Sequence, residues 1–179
     1  MIEETVDIRG PVKMGSNVTI RSFTVVYEGV EIGNNVSIGH GTIIRPGTVI
    51  EDDVSIGSLN QIEGDCVIMQ GTRFHSNVHI SKKSEIGRRC FIAPGFVPTN
   101  TPHPFCSERD KCIKGVTLED DVKIGANVTT APGITIGANS LVGIGSVVVR
   151  DVEPNSFMFG NPAKRIKDVR DITCPFDYV

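Results

Sequence analysis

An apolar side chain returns at every sixth residue from Ile8 to Ile92 without a miss, through Ile20, Ile32, Ile44, Ile56, Ile68, Phe74 and Ile80 among others. Two residues before the slot lies a small or branched side chain, as in Val18-Thr19-Ile20, Val36-Ser37-Ile38 and Val54-Ser55-Ile56. A period of six fits neither a helix nor a bare two-residue alternation. Residues i and i−2 share one face of a strand, and a glycine such as Gly33, Gly39, Gly57 or Gly125 follows the slot directly. Each hexad therefore reads as one short strand plus one corner. The glycine, and the Asn or Asp after it, are expected to supply the positive φ of a tight turn. Three hexads close a triangular coil with the apolar pair inside, and stacked coils share one continuous core.

The period breaks once. The slot after Ile92 falls on Pro98, and the pattern resumes at Leu118, Ile124, Thr130, Ile136, Val142 and Val148. An irregular excursion over 98–115 must leave the coil. A long segment without structure of its own inside a compact domain is usually functional, so this one reads as a binding loop. The expectation is an all-β single domain over 1–179, built as a parallel β-helix of about seven triangular coils and about 33 Å tall. The repeat covers 5–97 and 116–152, the protruding loop 98–115, and a short C-terminal tail 153–179, which Pro154 opens. Two inward slots are polar. Asn60 reads as a structural amide that must find partners inside the solenoid, and Thr130 is off pattern without an assigned role.

Net charge is −3 with pI ≈ 5.8, which gives no reason to expect nucleic acid or an anionic membrane as partner. No apolar stretch is long enough to span a bilayer. The acidic start, Met-Ile-Glu-Glu-Thr-Val-Asp, lacks the basic and apolar regions of a signal peptide, so a cytoplasmic location is the default expectation. The five cysteines include no C-x-x-C pair. Cys66 and Cys90 fall on inward i−2 positions and read as core residues. Cys106 and Cys112 lie in the loop, where reduced thiols are expected over a disulfide. Cys174 lies in the tail. None reads as a nucleophile.

A solenoid has no enclosed cleft, and small-molecule sites need concavity. A site must come from the loop, the tail or a neighbouring subunit, which already implies an oligomer. The chain resembles the hexapeptide-repeat acyltransferases, whose fold is a left-handed parallel β-helix. The segment Ile92-Ala93-Pro94-Gly95-Phe96-Val97-Pro98-Thr99-Asn100-Thr101-Pro102-His103-Pro104 is similar to the stretch of galactoside and maltose O-acetyltransferases that ends in a catalytic His-Pro pair. That resemblance implies His103 as general base, a role imidazole suits because it titrates near neutrality. Phe74-His75-Ser76-Asn77-Val78-His79 resembles the same family's acceptor-binding coil and implies Asn77 at the acceptor. His79, two residues on and pointing to the same face, is expected beside it.

The ending Val142-Gly143-Ile144-Gly145-Ser146-Val147-Val148-Val149-Arg150-Asp151-Val152, followed by Gly160-Asn161-Pro162-Ala163-Lys164, resembles the acetyl-CoA-binding end of these transferases. It implies backbone groups of Ala126 and Ile144 on the pantetheine arm, the main chain of Val149 at the adenine, and Arg150, Lys164 and Lys167 at the phosphates, which need fixed cationic donors. Also implied are acetyl-CoA as cosubstrate with no metal required, a sugar or sugar-nucleotide acceptor, and a homotrimer.

Two other readings compete with O- or N-acetyl transfer. A gamma-class carbonic anhydrase shares this prism, but its His-x-x-x-x-His spacing meets Arg45 at the position expected for the partner of His40, and His75 and His79 are too close together. A non-catalytic β-helix scaffold would need neither His103 nor the basic ending.

Overall fold

The computed structural model describes residues 1–173. It is a parallel β-helix of about 8 turns. Strands of two or three residues alternate with corners and pair with strands eighteen residues away, as Gln61 does with Ile43 and His79, or thirty-two away across the loop, as Glu85 does with Thr117. Three long faces result. The first face runs from Asp7–Arg9 through Val25–Tyr27, Ile43–Ile44, Gln61–Ile62 and His79–Ile80. It continues upward through Val97–Pro98, Thr129–Thr130 and Val147–Val148, joined by the His79 N–H donating to Phe96 O at 2.9 Å. The second face holds seven strands and the third nine.

The inward slots form one core. From Ile20 to Val148 every slot is buried, most of them at 0–2% exposure. The bottom differs: Ile8 is 38% exposed and Met14 is half-buried at the lower end of the stack. At the top the repeat outlasts the seven coils counted from the slots. Val152 bridges to Ile136 on the second face, and Met158, in the strand Ser156–Phe159, pairs beside Val142 on the third. These supply the inward residues of a further coil. Lys164–Asp168 then turns back antiparallel on that strand.

The structure corrects the reason for the glycines. Gly39, Gly57 and Gly125 do not have positive φ. A Cβ on Gly39 would stand 2.5 Å from the carbonyl carbon of Gly57, and one on Gly57 2.7 Å from that of His75. They are glycines because successive coils stack there with no room for a side chain. Positive φ comes two residues later, at Asn35 (56°), Asn77 (60°) and Asn127 (56°), or at Gly95 and Gly145.

Asn60 behaves as expected of a buried amide. Its Nδ2 donates to Gly57 O at 2.9 Å and its Oδ1 accepts from the Val78 N–H. Pro98 remains inside the coil, buried and in register with Thr130, and the Thr99 N–H still donates to Thr130 O. The excursion therefore starts at about residue 100. It is clipped at its base where the Lys114 N–H donates to Asn100 O at 3.0 Å, and it carries one short helix, Arg109–Cys112.

Candidate active site

Most of the residues singled out in the sequence border one face of the prism; His103 and Lys167 do not. His79 projects from the first face. Asn77 sits at the corner leading into it, in the left-handed conformation that asparagine tolerates. That corner stacks as a column: the Gly95 N–H donates to Asn77 O, the Asn127 N–H to Pro94 O, and the Gly145 N–H to Ala126 O at 2.8 Å. Asn77, Ala126 and Ile144 therefore share one edge, with successive corners about 4.8 Å apart along the axis. Ala126 and Ile144 are eighteen residues and so one coil apart in the repeat itself, whereas the loop shifts the numbering between Asn77 and Ala126.

An open groove of about 380 Å³ runs along this edge, lined by Leu59, Gln61, Asn77, His79, Val97 and Asn127. Three side-chain amides and one imidazole face it, a set that can donate and accept hydrogen bonds without a fixed charge. Gln61 and Asn127 were not anticipated. Both could have been found by stepping one coil down from His79 and two coils up from Asn77, allowing for the loop. Ile144, 68% exposed, stands further along the same edge.

A second groove, of about 440 Å³, lies at the top of the same face between Val149, Arg150 and Asp151 on one side and Pro162, Ala163, Lys164 and Arg165 on the other. The turn at Gly160–Ala163 makes it. The Val147 N–H donates to Gly160 O at 3.0 Å, and the Ala163 N–H donates back to Val147 O at 2.8 Å. This clamps the tail to the last strand of the first face. The Asn161–Pro162 bond is cis.

The clamp brings Val149, Arg150 and Lys164 together with Arg165. Among the described residues neither Arg150 nor Lys164 has an ion-pair partner, whereas Arg165 lies 3.6 Å from Asp168. Asp151 turns its carboxylate to the Thr135 N–H at 2.8 Å. The groove is therefore cationic, and suited to phosphate. Lys167 is not part of it. It lies in the tail strand opposite Phe157, with its ammonium donating to Asp171 O.

His103 lies in the loop, at the corner between the first and second faces, with its side chain exposed. Its carbonyl accepts from the Cys106 N–H, but its imidazole does not line the groove at Asn77. Cys66 and Cys90 are fully buried, and burial pushes both thiols up to about 11, which keeps them protonated and inert. Cys106 and Cys112 are half-buried free thiols. Cys174 lies outside the described residues. Among the described residues no three His, Cys, Asp or Glu side chains gather as a metal site, and no helix is long and apolar enough to cross a membrane.

This coil, with its corner glycines and inward branched residues, defines a family. Residues 11–46 and 29–64 match the bacterial transferase hexapeptide model (six repeats), and residues 115–150 match the hexapeptide repeat of succinyl-transferase. The chain belongs to the hexapeptide-repeat transferases. It is 39% identical over 85 residues to a putative acetyltransferase of Saccharomyces cerevisiae, a match covering 45% of this chain and 43% of the other. With galactoside O-acetyltransferase of Escherichia coli it shares 37% over 84 residues, covering 45% and 41%. The chain thus spans less than half the length of these relatives. Among solved structures it resembles the polysialic acid O-acetyltransferase OatWY, with a TM-score of 0.62 and 28% identity over 91% of this chain and 88% of that one. It shares its fold with the polySia-specific acetyltransferase NeuO, with a TM-score of 0.66 at 20% identity over 99% and 92%.

Proposed function

We propose that this protein transfers an acetyl group from acetyl-CoA to a hydroxyl or amine of a sugar or sugar-nucleotide, in a homotrimer whose sites lie between adjacent prisms. The observation that carries this reading is the pairing of two grooves on one face. The upper groove offers Arg150, Lys164 and Arg165 to CoA phosphates. The lower one offers amides and an imidazole to a polyhydroxyl acceptor. The column of corners from Asn77 to Ile144 runs between them and supplies main-chain groups to the pantetheine arm. Similarity to a galactoside O-acetyltransferase over 84 residues supports the reaction class.

In this reading the acceptor lies at Asn77 and His79, and the loop carrying His103 reaches across to a neighbouring prism. His103 removes the proton from the acceptor as it attacks the thioester carbonyl, and the CoA thiolate departs. Corner N–H groups steady the oxyanion. Both grooves are open on one chain, so a second prism is what would exclude water from the reacting groups.

The experiment is thiol release from acetyl-CoA against a panel of sugars, amino sugars and sugar nucleotides. Release that depends on one acceptor class supports the proposal. A chain that binds CoA but releases no thiol with any acceptor would sink it.

A further inference from the structure

A carboxylate stands behind His79 without itself lining the groove. Its Nε2 lies 3.6 Å from Glu63 Oε1. The other oxygen of Glu63 is fixed, since Oε2 accepts from the Lys82 N–H at 3.4 Å. The ammonium of Lys82 is engaged elsewhere, with Nζ 3.2 Å from Asp65. Glu63 is half-buried and absent from the groove wall, whereas His79 lines it beside Gln61 and Val97. Carboxylates cap corner amides elsewhere in this solenoid: Glu51 accepts from the Gln70 N–H and Glu119 from the Ala138 N–H. What sets Glu63 apart is the imidazole at its free oxygen.

The geometry points to Glu63 as a positioning residue that fixes the tautomer and orientation of His79, so that His79 accepts a hydrogen bond from a hydroxyl of the acceptor. A carboxylate 3.6 Å from Nε2, beyond direct hydrogen-bond reach, favours the proton on that nitrogen through its charge and leaves Nδ1 as the acceptor. Because the imidazole grows from a strand paired on both sides, its direction is set by the fold, not by the loop. The inference rests on the function proposed above, and it adds a recognition element that is separate from the proton transfer assigned to His103.

Glu63→Gln is the decisive variant, because glutamine can still accept from the Lys82 N–H while losing the charge that orients His79. With the best acceptor from the panel, it should raise the acceptor KM about tenfold, the cost of one lost hydrogen bond of about 1.4 kcal/mol. The kcat and the acetyl-CoA KM should stay within twofold. His79→Gln should match it, and the double variant should be no worse than either single one. Unchanged acceptor KM in Glu63→Gln, additive losses, or a fall confined to kcat would each overturn the assignment.

Nitrogen NMR of the imidazoles reads the same contact without catalysis, His79 being assigned through His79→Gln. Expected at alkaline pH is a proton held on Nε2 in the wild type and a tautomer mixture in Glu63→Gln. Identical tautomers in both proteins would refute the role of Glu63 whatever the activity. A wild type that shows the held tautomer but releases no thiol would refute the enzyme reading alone.

Discussion

Asn60 Oδ1 lies 2.6 Å from the main-chain nitrogen of Val78, eighteen residues along the chain and one coil higher. Asn60, at 0% exposure, thus links three coils, because its main-chain N–H also donates to Thr42 Oγ1 at 3.3 Å. Asn60→Leu removes the partner of a buried Val78 N–H, and an orphaned buried donor costs about 1–3 kcal/mol. Denaturant unfolding should show that loss, and Asn60→Asp at neutral pH should cost more by burying a charge.

Thr130 is the opposite case. Its Oγ1 is the one buried side-chain oxygen or nitrogen among the described residues with no hydrogen-bond partner, and it sits between Pro98 and Val148 in an otherwise apolar column. Thr130→Val keeps the shape and removes the unpaired hydroxyl. It should raise stability by about 1 kcal/mol, read as a higher denaturation midpoint with unchanged m-value.

Gly57 stands where a methyl group would meet the main chain of His75 at 2.7 Å. Gly57→Ala should therefore force two coils apart and cost about 2 kcal/mol or more. Gly29, with nothing within 4 Å, should show only the smaller penalty of its left-handed φ on replacement by Ala, about 1 kcal/mol.

The cationic groove separates three lysine and arginine positions that the resemblance groups together. Arg150→Ala and Lys164→Ala should each weaken CoA binding about tenfold in calorimetry, with less effect on a CoA analogue lacking the 3′-phosphate. Lys167→Ala should leave it nearly unchanged, since that ammonium is turned to Asp171 O. If His103 is the base, His103→Ala lowers kcat by about 10²–10⁴ at unchanged CoA affinity. Full activity in that variant would remove the loop from the chemistry.

Two buried thiols give the pH dependence a definite sign. Cys66 and Cys90 hold their protons up to about 11 in the folded chain, whereas an unfolded thiol loses its proton near pH 8.5. Above that value the unfolded state binds fewer protons, so stability falls as pH rises toward 11, by on the order of 2 kcal/mol per thiol. Cys66→Ala/Cys90→Ala should flatten that limb of the stability curve. At pH 8, peptide mapping after alkylation should find Cys66 and Cys90 unmodified in the folded protein and Cys106 and Cys112 modified.

The coil was legible because its cause is local. A six-residue period needs only two inward side chains and a corner, so the slots at Ile20 through Val148, the loop and the structural role of Asn60 all follow from spacing. The resemblance added the residues worth locating, among them Asn77, His79 and Arg150. Three things were decided only by stacking. The glycines after each slot are required by the neighbouring coil and not by their own φ, and no single hexad contains that neighbour. Glu63, Gln61 and Asn127 join Asn77 and His79 through contacts between residues sixteen or more apart in the chain, a separation set by coil closure and the length of the loop. Lys164 and Arg165 enter the cationic groove while Lys167 leaves it, because the turn at Gly160–Ala163 docks on Val147 and reverses the tail onto the third face. Side-chain direction after a turn depends on where the returning strand finds its hydrogen bonds, and that partner is fixed only when the prism is assembled.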